Sequence, residues 1–545
     1  MTYVDPTIGL HYTASGPHPE GLTNALSGAL QQRRFFLSIE YIPSCERDTR
    51  TQLSRLEPIR EHLQHPQLEV ASIAVTDRVC SREDPGSINV GRQLAAWSGY
   101  QPLIHLSGKG CTGADLAARI DAMGGAGLQN ALIISGDRLP GSPQQQDPYL
   151  DSVSAVAQAR TQAPDLLIAV ALNPFKYQEE DCLGQYLKLG KKVAAGADLA
   201  VTQIGWDPSK HLEALAWVGA RPYDLPLMAN LMPLTARRAR HIRHHRLPGV
   251  VVPDSLIALL EDDESRLPDQ AAARVYQRLA LQVVLLKRAG YAGIQLTAVD
   301  TPAALTRLRE AVCSLESAVR DRHDWNEAWR ELMTRADGRV ADPVPVPSPF
   351  FLGDGTPLPT PRGNRPWKLR LSERVHQIAF GRGAFARLLA AMLRPLQPGT
   401  RADTWMAAVE RQIKGPLYGC QNCGTCRLHL THFICPETCP KGLANGPCGG
   451  TSSNRCEFGD RECVHSQRYR LARDAAELEQ LETWIIPAVP PESRGRASWP
   501  AHFQGRGPAI EIRSWTERPR VHGADAFADR RTEGAPPPSG SHSQR

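Results

Sequence analysis

The sequence lacks any long hydrophobic run. No stretch reaches the roughly 18 apolar residues that a helix needs to span a bilayer. The first twenty residues have no basic end followed by an apolar core, so a secretory signal is not expected. Basic residues nowhere form a long run, and the net charge is only +6 over 545 residues. These absences predict a cytoplasmic protein that has neither a membrane nor a nucleic acid as its partner.

The overall composition is that of a globular protein, with 41% hydrophobic and 22% charged residues. The length suggests about three or four domain-sized pieces. Local composition predicts a flexible lead-in, a regular domain, a linker rich in Pro and Gly, a smaller helical, cysteine-rich domain and a disordered tail. The expected bounds are 1–30, 31–318, 319–367, 368–489 and 490–545.

Short apolar runs alternate with amphipathic segments in the first half of the chain. Continuous apolar runs are typical of parallel strands that are covered on both faces. The runs are 35–42, 69–75, 102–107, 131–137, 166–172, 199–206, 225–232 and 293–299. Eight such strands favour an α/β fold of the (β/α)₈ barrel type over an open sheet. A doubly wound sheet is the alternative, although no GxGxxG motif follows the first strand.

Polar side chains recur at the predicted strand ends, where a barrel carries its chemistry. They are Glu40, Thr76, His105, Asp137, Asn173 and Gln203. A carboxylate within an apolar run such as FFLSIEYIP is costly to bury in its charged form. Glu40 should therefore have a raised pKa and be suited to act as an acid. The alternative is a structural role as hydrogen-bonded core residues, but their repetition at comparable strand ends favours an active site.

Four segments in sequence resemble a known family. SIEYIPS (38–44), IISGDRLPGS (133–142) and KVAAGADLAVTQIGW (192–206) are similar to the main signatures of methylenetetrahydrofolate reductases, and LPLMANLMPLT (225–235) to their seventh-strand segment. The resemblance implies a flavin-containing (β/α)₈ barrel that reduces 5,10-methylenetetrahydrofolate to 5-methyltetrahydrofolate, or catalyses the reverse oxidation. It further implies FAD, with FMN as the alternative, NAD(P)H as co-substrate and a homo-oligomer.

The same resemblance implies roles for individual residues. Glu40 matches the general acid that protonates N10 of the folate, Asp137 the carboxylate beside the flavin, and Gln203 the amide that faces nicotinamide or pterin. Flavin contacts are implied at Thr76, His105, Gly136, Asp137, Asn173 and Lys192, where Lys192 would meet a phosphate from a loop or helix start. Three positions depart from the family pattern: Ile42 and Arg237 replace aromatic residues, and Ser135 replaces an arginine.

Eight of the 13 cysteines lie within a short stretch of the second half. In a chain without a signal peptide, such a cluster indicates a metal site more than a disulfide framework. The x₂ spacing of the first three is typical of zinc and iron–sulfur sites. The expected ligands are Cys420, Cys423, Cys426, Cys435, Cys439, Cys448, Cys456 and Cys463. They suffice for two tetrahedral zinc ions or two cubane clusters, and His429, His432 and His465 are alternative zinc ligands.

Two cysteine segments, GCQNCGTCRL and CPKGLANGPCGG, also resemble the C-terminal domain of some methylenetetrahydrofolate reductases. The leading hypothesis is therefore a reductase with a fused metal-binding domain. A second hypothesis keeps the barrel but has a protein donor feed it electrons through iron–sulfur clusters. A third is a non-enzymatic, metal-stapled scaffold that recruits folate or methyl-transfer partners.

Overall fold

Eight parallel strands close into a barrel in the computed structural model. The structure describes residues 2–4, 11–13, 24–43, 57–60, 63, 68–77, 86–138, 148–345, 349–353, 365–459, 461–512 and 515. The strands are β1 (Phe36–Tyr41), β2 (Val70–Val75), β3 (Leu103–Ser107), β4 (Asn130–Ile134), β5 (Leu167–Leu172), β6 (Leu199–Thr202), β7 (Leu227–Leu231) and β8 (Gly293–Leu296). Each pairs with the next along the chain, and β8 closes the barrel on β1. The predicted barrel is confirmed, and its closure excludes the doubly wound sheet.

One helix precedes the first strand, and the others follow the strands in the chain. The helices are α1 (Ala25–Gln31), α2 (Ser87–Ser98), α3 (Gly113–Gly125), α4 (Ser152–Gln162), α5 (Glu179–Ala195), α6 (Pro208–Gly219), α7 (Ala236–His245), α8 (Asp254–Arg266), α9 (Pro268–Ala289), α10 (Pro302–Ala318) and α11 (Arg322–Leu332). Local sequence sets where they begin: Thr112 and Asp115 form a capping box at α3, and proline occupies the first turn of α6, α9 and α10. A small antiparallel strand pair, Thr2–Val4 with His11–Thr13, precedes the barrel.

Strands β4, β6 and β8 end before the apolar runs that predicted them. At β4 the chain leaves the sheet because Gly136 has a left-handed φ of 77°. As a result, Asp137 lies in the loop after β4. Gln203 directly follows the last residue of β6. The strand ends are therefore polar loops that face the mouth of the barrel.

The C-terminal region contains three further helices, α12 (Trp367–Phe380), α13 (Ala384–Leu393) and α14 (Arg401–Tyr418). The cysteine-rich stretch follows, with 3₁₀ turns at Leu428–Leu430 and Pro436–Thr438. Next come α15 (Val464–Asp474), α16 (Leu478–Thr483), a 3₁₀ turn at Pro491–Ser493, and α17 (Ser498–Phe503), with Trp484–Ile485 paired to Glu511–Ile512. No helix among the described residues is long and apolar enough to cross a membrane.

Helices occur in three segments that composition predicted to be flexible, a linker or disordered: α1 in 1–30, α11 in 319–367 and α17 in 490–545. The predicted linker begins with α11, whose Trp325 is buried and donates from Nε1 to the carbonyl of Leu281 at 2.8 Å. The predicted disordered tail likewise begins with ordered chain that includes α17. Both segments are short and polar around one or two anchoring aromatic residues, so composition alone missed them. Most of the tail lies outside the described residues.

The cysteine-rich domain packs on one side of the barrel, across α5. Tyr469 of α15 is fully buried, and its hydroxyl donates to Glu179 at 3.0 Å. Lys188 of α5 donates to the carbonyl of Gly446 at 3.2 Å, and Gln185 donates to that of Cys448 at 2.9 Å. These contacts bring the second half of the cysteine stretch to the barrel mouth.

Candidate active site

Glu40 lies near the carboxyl end of β1, on the side of the mouth next to β7 and β8. Gln295 Nε2 donates to Glu40 Oε1 at 3.3 Å, and the hydroxyl of Thr297 donates to Oε2. The same hydroxyl lies 2.9 Å from Asn230 Oδ1 in β7. Three adjacent strands thus hold the carboxyl group in a polar chain at the edge of an otherwise apolar barrel.

Burial is the main influence on Glu40. It raises the pKa of the carboxyl group, and the hydrogen bond from Thr297 partly opposes this effect. Thr297 has one hydroxyl proton but two acceptor neighbours. When Glu40 carries a proton, it can donate to Thr297, which then donates to Asn230, so all three groups are satisfied. This arrangement lets the Glu40 carboxyl group hold a proton.

The neighbouring wall of the mouth contains His105 and Thr76. His105 in β3 is buried, its Nε2 has no hydrogen-bond partner among the described residues, and burial lowers its pKa to about 4. Asp77 accepts from Ser107 N and from Arg119, which fixes the loop after β2. Thr76 donates to the carbonyl of Tyr41 at 3.4 Å. A neutral histidine with an unused ring nitrogen is available to a polar ligand in the mouth.

Gly136 and Asp137 form the third wall, together with the cysteine-rich domain. Lys441 Nζ donates to the carbonyl of Gly136 at 2.7 Å and pairs with Glu457. The Asp137 side chain is exposed at the surface, but desolvation by the surrounding protein and the charge of Glu457 raise the pKa of its carboxyl group, while Lys441 and Lys109 oppose the rise. The carboxylate therefore stands at a charged junction of the two domains.

Asn173, Gln203 and Lys192 are all engaged by protein groups. Asn173 Nδ2 donates to the carbonyls of Gly249 and Gly449, each at 2.9 Å. Gln203 Nε2 donates to the carbonyl of Pro248 at 3.4 Å. The loop after α7 and the cysteine-rich domain thus meet over the ends of β5 and β6.

Lys192 was expected at a loop or at the start of a helix. It lies instead in the last turn of α5. The amphipathic segment is one long helix, which carries this residue along the barrel wall. Its Nζ donates to the carbonyl of Ala171 at 2.6 Å, and burial lowers its pKa to about 7. The adjacent Lys191 is fully buried, and its Nζ has no partner among the described residues. Burial lowers the pKa of Lys191 as well, so both amines lie deep in the wall where their charged form is disfavoured.

The eight cysteines of the cluster are all free thiols that fall into two groups. Cys420, Cys423, Cys426 and Cys435 line one cavity. Cys439, Cys448, Cys456 and Cys463 lie near enough to act on one another electrostatically. Within the described residues, no group of three or more His, Cys, Asp or Glu side chains is arranged to hold a metal ion. Metal binding stays a prediction.

The candidate histidine ligands have other contacts. His429 stacks on His376 at 4.8 Å between ring centroids, and His432 Nε2 lies 3.1 Å from Glu477. His465, the second residue of α15, is buried near Lys188. Cysteine thiols are therefore the better candidates for metal ligands.

The second cysteine group borders the barrel mouth and is surrounded by cations. Cys448 Sγ lies 3.4 Å from Glu457, whose partner Lys441 bonds to Gly136. Lys176 is buried and donates to the carbonyl of Gly449 at 2.8 Å. It also lies close enough to Cys448 and Cys463 to interact with them electrostatically. Buried lysines beside four thiols suit an anionic, thiolate-rich centre.

Sequence reasoning missed several residues of the mouth. Thr297 and Asn230 carry the signal that identified Glu40, a polar side chain in or just after an apolar run. Lys441 and Glu457 carried no such signal because they come from the other domain. The structure brings Lys441 to Gly136 across 305 positions of sequence.

Comparisons with known proteins agree with this architecture. The family model described as methylenetetrahydrofolate reductase matches residues 25–301, more than half of the chain, and the model described as methylene-tetrahydrofolate reductase C terminal matches residues 400–489. Methylenetetrahydrofolate reductase 1 of Schizosaccharomyces pombe is 29% identical over 146 residues, which are 25% of this chain and 24% of that protein. The match spans about a quarter of the curated relative's length. The chain belongs to the methylenetetrahydrofolate reductase family.

Proposed function

We propose that this protein is a flavin-dependent methylenetetrahydrofolate reductase in which Glu40 is the general acid. The substrate would be 5,10-methylenetetrahydrofolate and the product 5-methyltetrahydrofolate, or the reverse in an oxidative pathway. The observation that carries the proposal is the environment of Glu40. Its carboxyl group is largely desolvated, has a raised pKa and sits in a polar chain at the mouth of a barrel of this family.

The acid has a defined task in this reaction. Protonation of N10 of the folate lets the bond between N10 and the bridging carbon break, which opens the five-membered ring to an N5 iminium ion. A proton donor near neutral pH must hold its proton until the substrate arrives, and a buried carboxyl group does so. A bound flavin would supply the hydride that this iminium ion accepts.

Thr297 and Asn230 would position the acid. The hydroxyl of Thr297 donates to ionised Glu40 and accepts from its protonated form, so the carboxyl group keeps a partner in both states. Gln295 holds the other oxygen. The three residues would keep Glu40 in one orientation while its proton leaves and returns.

The residues that would hold FAD or FMN are Thr76, His105, Gly136, Asp137, Asn173 and Lys192. One feature fits such a ligand, the unpartnered Nε2 of buried His105. Gly136 has a packing role instead, because a Cβ there would collide with Ser107 and Lys109. Asp137 would place a negative charge beside the ring system and so tune its electronics. Gln203 would face the substrate or NAD(P)H once it releases Pro248.

A second candidate route has electrons arrive from a protein donor through iron–sulfur clusters. Its support is the second cysteine group, which lies beside Gly136 and Asp137 and is flanked by Lys176 and Lys441. If the same thiols bind zinc instead, the metal would stabilise the fold of the cysteine-rich domain. In both versions we propose a cytoplasmic homo-oligomer, with folate and a redox or methyl-transfer protein as partners.

Anaerobic purification with a visible spectrum, metal analysis and two turnover assays tests these proposals. The leading route predicts bound flavin and folate reduction with NADH or NADPH. Broad absorption beyond the flavin bands, and turnover only with a reduced protein donor, would favour the second route. Protein that lacks flavin and turns over no folate with either donor would contradict both and favour a scaffold.

A further inference from the structure

The helices α12, α13 and α14 expose a concentrated apolar surface. Ten of the fifteen exposed large hydrophobic residues in the described part of the chain lie on these helices. They form what we call the α12–α14 face: Trp367, Leu371, Val375, Ile378, Phe385, Leu388, Met392, Trp405, Ile413 and Leu417. Exposure reaches 66% for Trp405 and 69% for Leu417. Large apolar residues that are exposed singly are normal on a protein surface, whereas their concentration on three consecutive helices is typical of an interaction site.

Two of these helices, α12 and α13, bury little of themselves within the chain. Leu369 is the only buried residue of α12, and Ala386 and Leu393 are the only ones of α13. Short helices owe most of their stability to the packing of an apolar face. The spacing of Leu371, Val375 and Ile378 gives α12 such a face, and it points outward. The surface therefore requires a partner.

The charges on the same helices are predominantly basic. Residues 367–418 contain nine Lys and Arg but three acidic residues. All three acids are engaged internally: Glu373 pairs with Arg365, Glu410 pairs with Lys414, and Asp403 accepts from the backbone N–H groups of Gly399 and Ala497. Among the described residues, Arg374, Arg382 and Arg387 have no ion-pair partner. A second copy would bring like charges together, whereas an anionic surface would be attracted.

The distribution of these charges favours a bilayer over a protein partner. The buried core of a protein interface is depleted of charged residues. Here Lys368 and Arg374 are interleaved with the apolar side chains of α12, and Arg382 lies just after its end. Tryptophans at positions 367 and 405, basic side chains and aliphatic residues together are typical of helices that lie in the membrane interface.

We propose that the α12–α14 face attaches the protein, in the plane of the interface, to an anionic lipid bilayer. The helices would insert their apolar side chains among the acyl chains while the arginines meet lipid phosphates. This departs from the expectation of no membrane partner, which rested on continuous hydrophobic runs. Such runs detect spanning helices, and an amphipathic face interrupts them. The inference is independent of the reductase activity.

Sedimentation of the full-length protein with lipid vesicles tests the proposal. We expect binding to vesicles that contain phosphatidylglycerol, weaker binding to pure phosphatidylcholine, and release by salt. Leu371→Glu, Ile378→Glu and Met392→Glu should each weaken the partition about tenfold or more, because each puts a charge where an apolar side chain inserts. Val340→Glu is the matched control, since Val340 is 55% exposed but outside the face.

The outcomes separate the occupants of the face. Circular dichroism and the melting temperature should be the same for all variants, since these side chains have few internal contacts. Equal binding of wild type and the Leu371→Glu variant, or no binding by wild type, would overturn the proposal. A wild-type dimer that fails to bind vesicles and becomes a monomer with Ile378→Glu would assign the face to a second copy instead.

Discussion

Replacement of Thr297 by valine tests how the barrel stores its proton. Valine keeps the shape of the side chain but removes the hydroxyl between Glu40 and Asn230. The rate of the folate half-reaction should be high while Glu40 is protonated and should fall as the pH rises through its pKa. Because the Thr297 hydrogen bond lowers that pKa, its loss should move the falling limb to higher pH.

The size of the shift follows from the strengths of the two hydrogen bonds that are lost. A bond to the ionised carboxylate contributes about 1.5–3 kcal/mol and one to the neutral acid about 0.5–1.5 kcal/mol. Their difference, about 1 kcal/mol, corresponds to an about fivefold increase in the ratio of protonated to ionised Glu40 at a given pH. Asn230 also loses a buried partner, so the free energy of unfolding should fall by about 1–3 kcal/mol.

The assay measures by stopped flow how fast 5,10-methylenetetrahydrofolate reoxidises the prereduced flavin. The rate is measured at a series of pH values from acid to alkaline. Guanidinium unfolding measures the stability of the same samples. Ser38→Ala is the matched control, because Ser38 lies on the same strand as Glu40 and its buried hydroxyl has no partner among the described residues. A pH profile of Thr297→Val that coincides with that of wild type, or that moves to lower pH, would refute the reasoning.

Three further predictions concern the other walls of the site and the cysteines. Gly136→Ala should lower flavin content and melting temperature, since its Cβ would lie 2.2 Å from Ser107 Oγ. Gly127 has a similar φ but open space around it, so Gly127→Ala should show only the smaller effect of backbone strain. Asp137→Asn should raise the flavin potential in a spectroelectrochemical titration, because a negative charge disfavours the reduced anion, and an unchanged potential would place Asp137 away from the flavin. Cys423→Ser should reduce metal content and destabilise the C-terminal domain in a melting experiment, whereas Cys313→Ser in α10 should leave both unchanged, and equal metal content in the two variants would count against ligation by Cys423.

The barrel could be predicted because its strands are covered on both faces. Each buried strand reads as a continuous apolar run, so the runs at 35–42 and 166–172 gave β1 and β5 nearly to the residue. Glu40 stood out for the same reason, since a carboxyl group is rare in such a run. Asn230 is likewise a polar residue within an apolar run, LPLMANLM, but it was not among the predicted site residues.

The junction of the two domains could not be predicted. Lys441, Glu457 and Gly449 reach the mouth only because the cysteine-rich domain packs on α5, and nothing local encodes a contact across some 300 positions. Lys192 was assigned to a loop or helix start because a phosphate ligand was expected there. The continuous pattern of α5 carries it instead to the last turn.

The central claim is that Glu40 supplies the proton that the folate half-reaction needs. Glu40→Gln, studied by anaerobic stopped flow with the two half-reactions measured separately, tests it most directly. The account predicts normal flavin content, reduction of the flavin by its donor at close to the wild-type rate, and loss of folate-dependent reoxidation by about 10²-fold or more at all pH values. Reoxidation by folate at close to the wild-type rate, with the wild-type pH dependence, would contradict it.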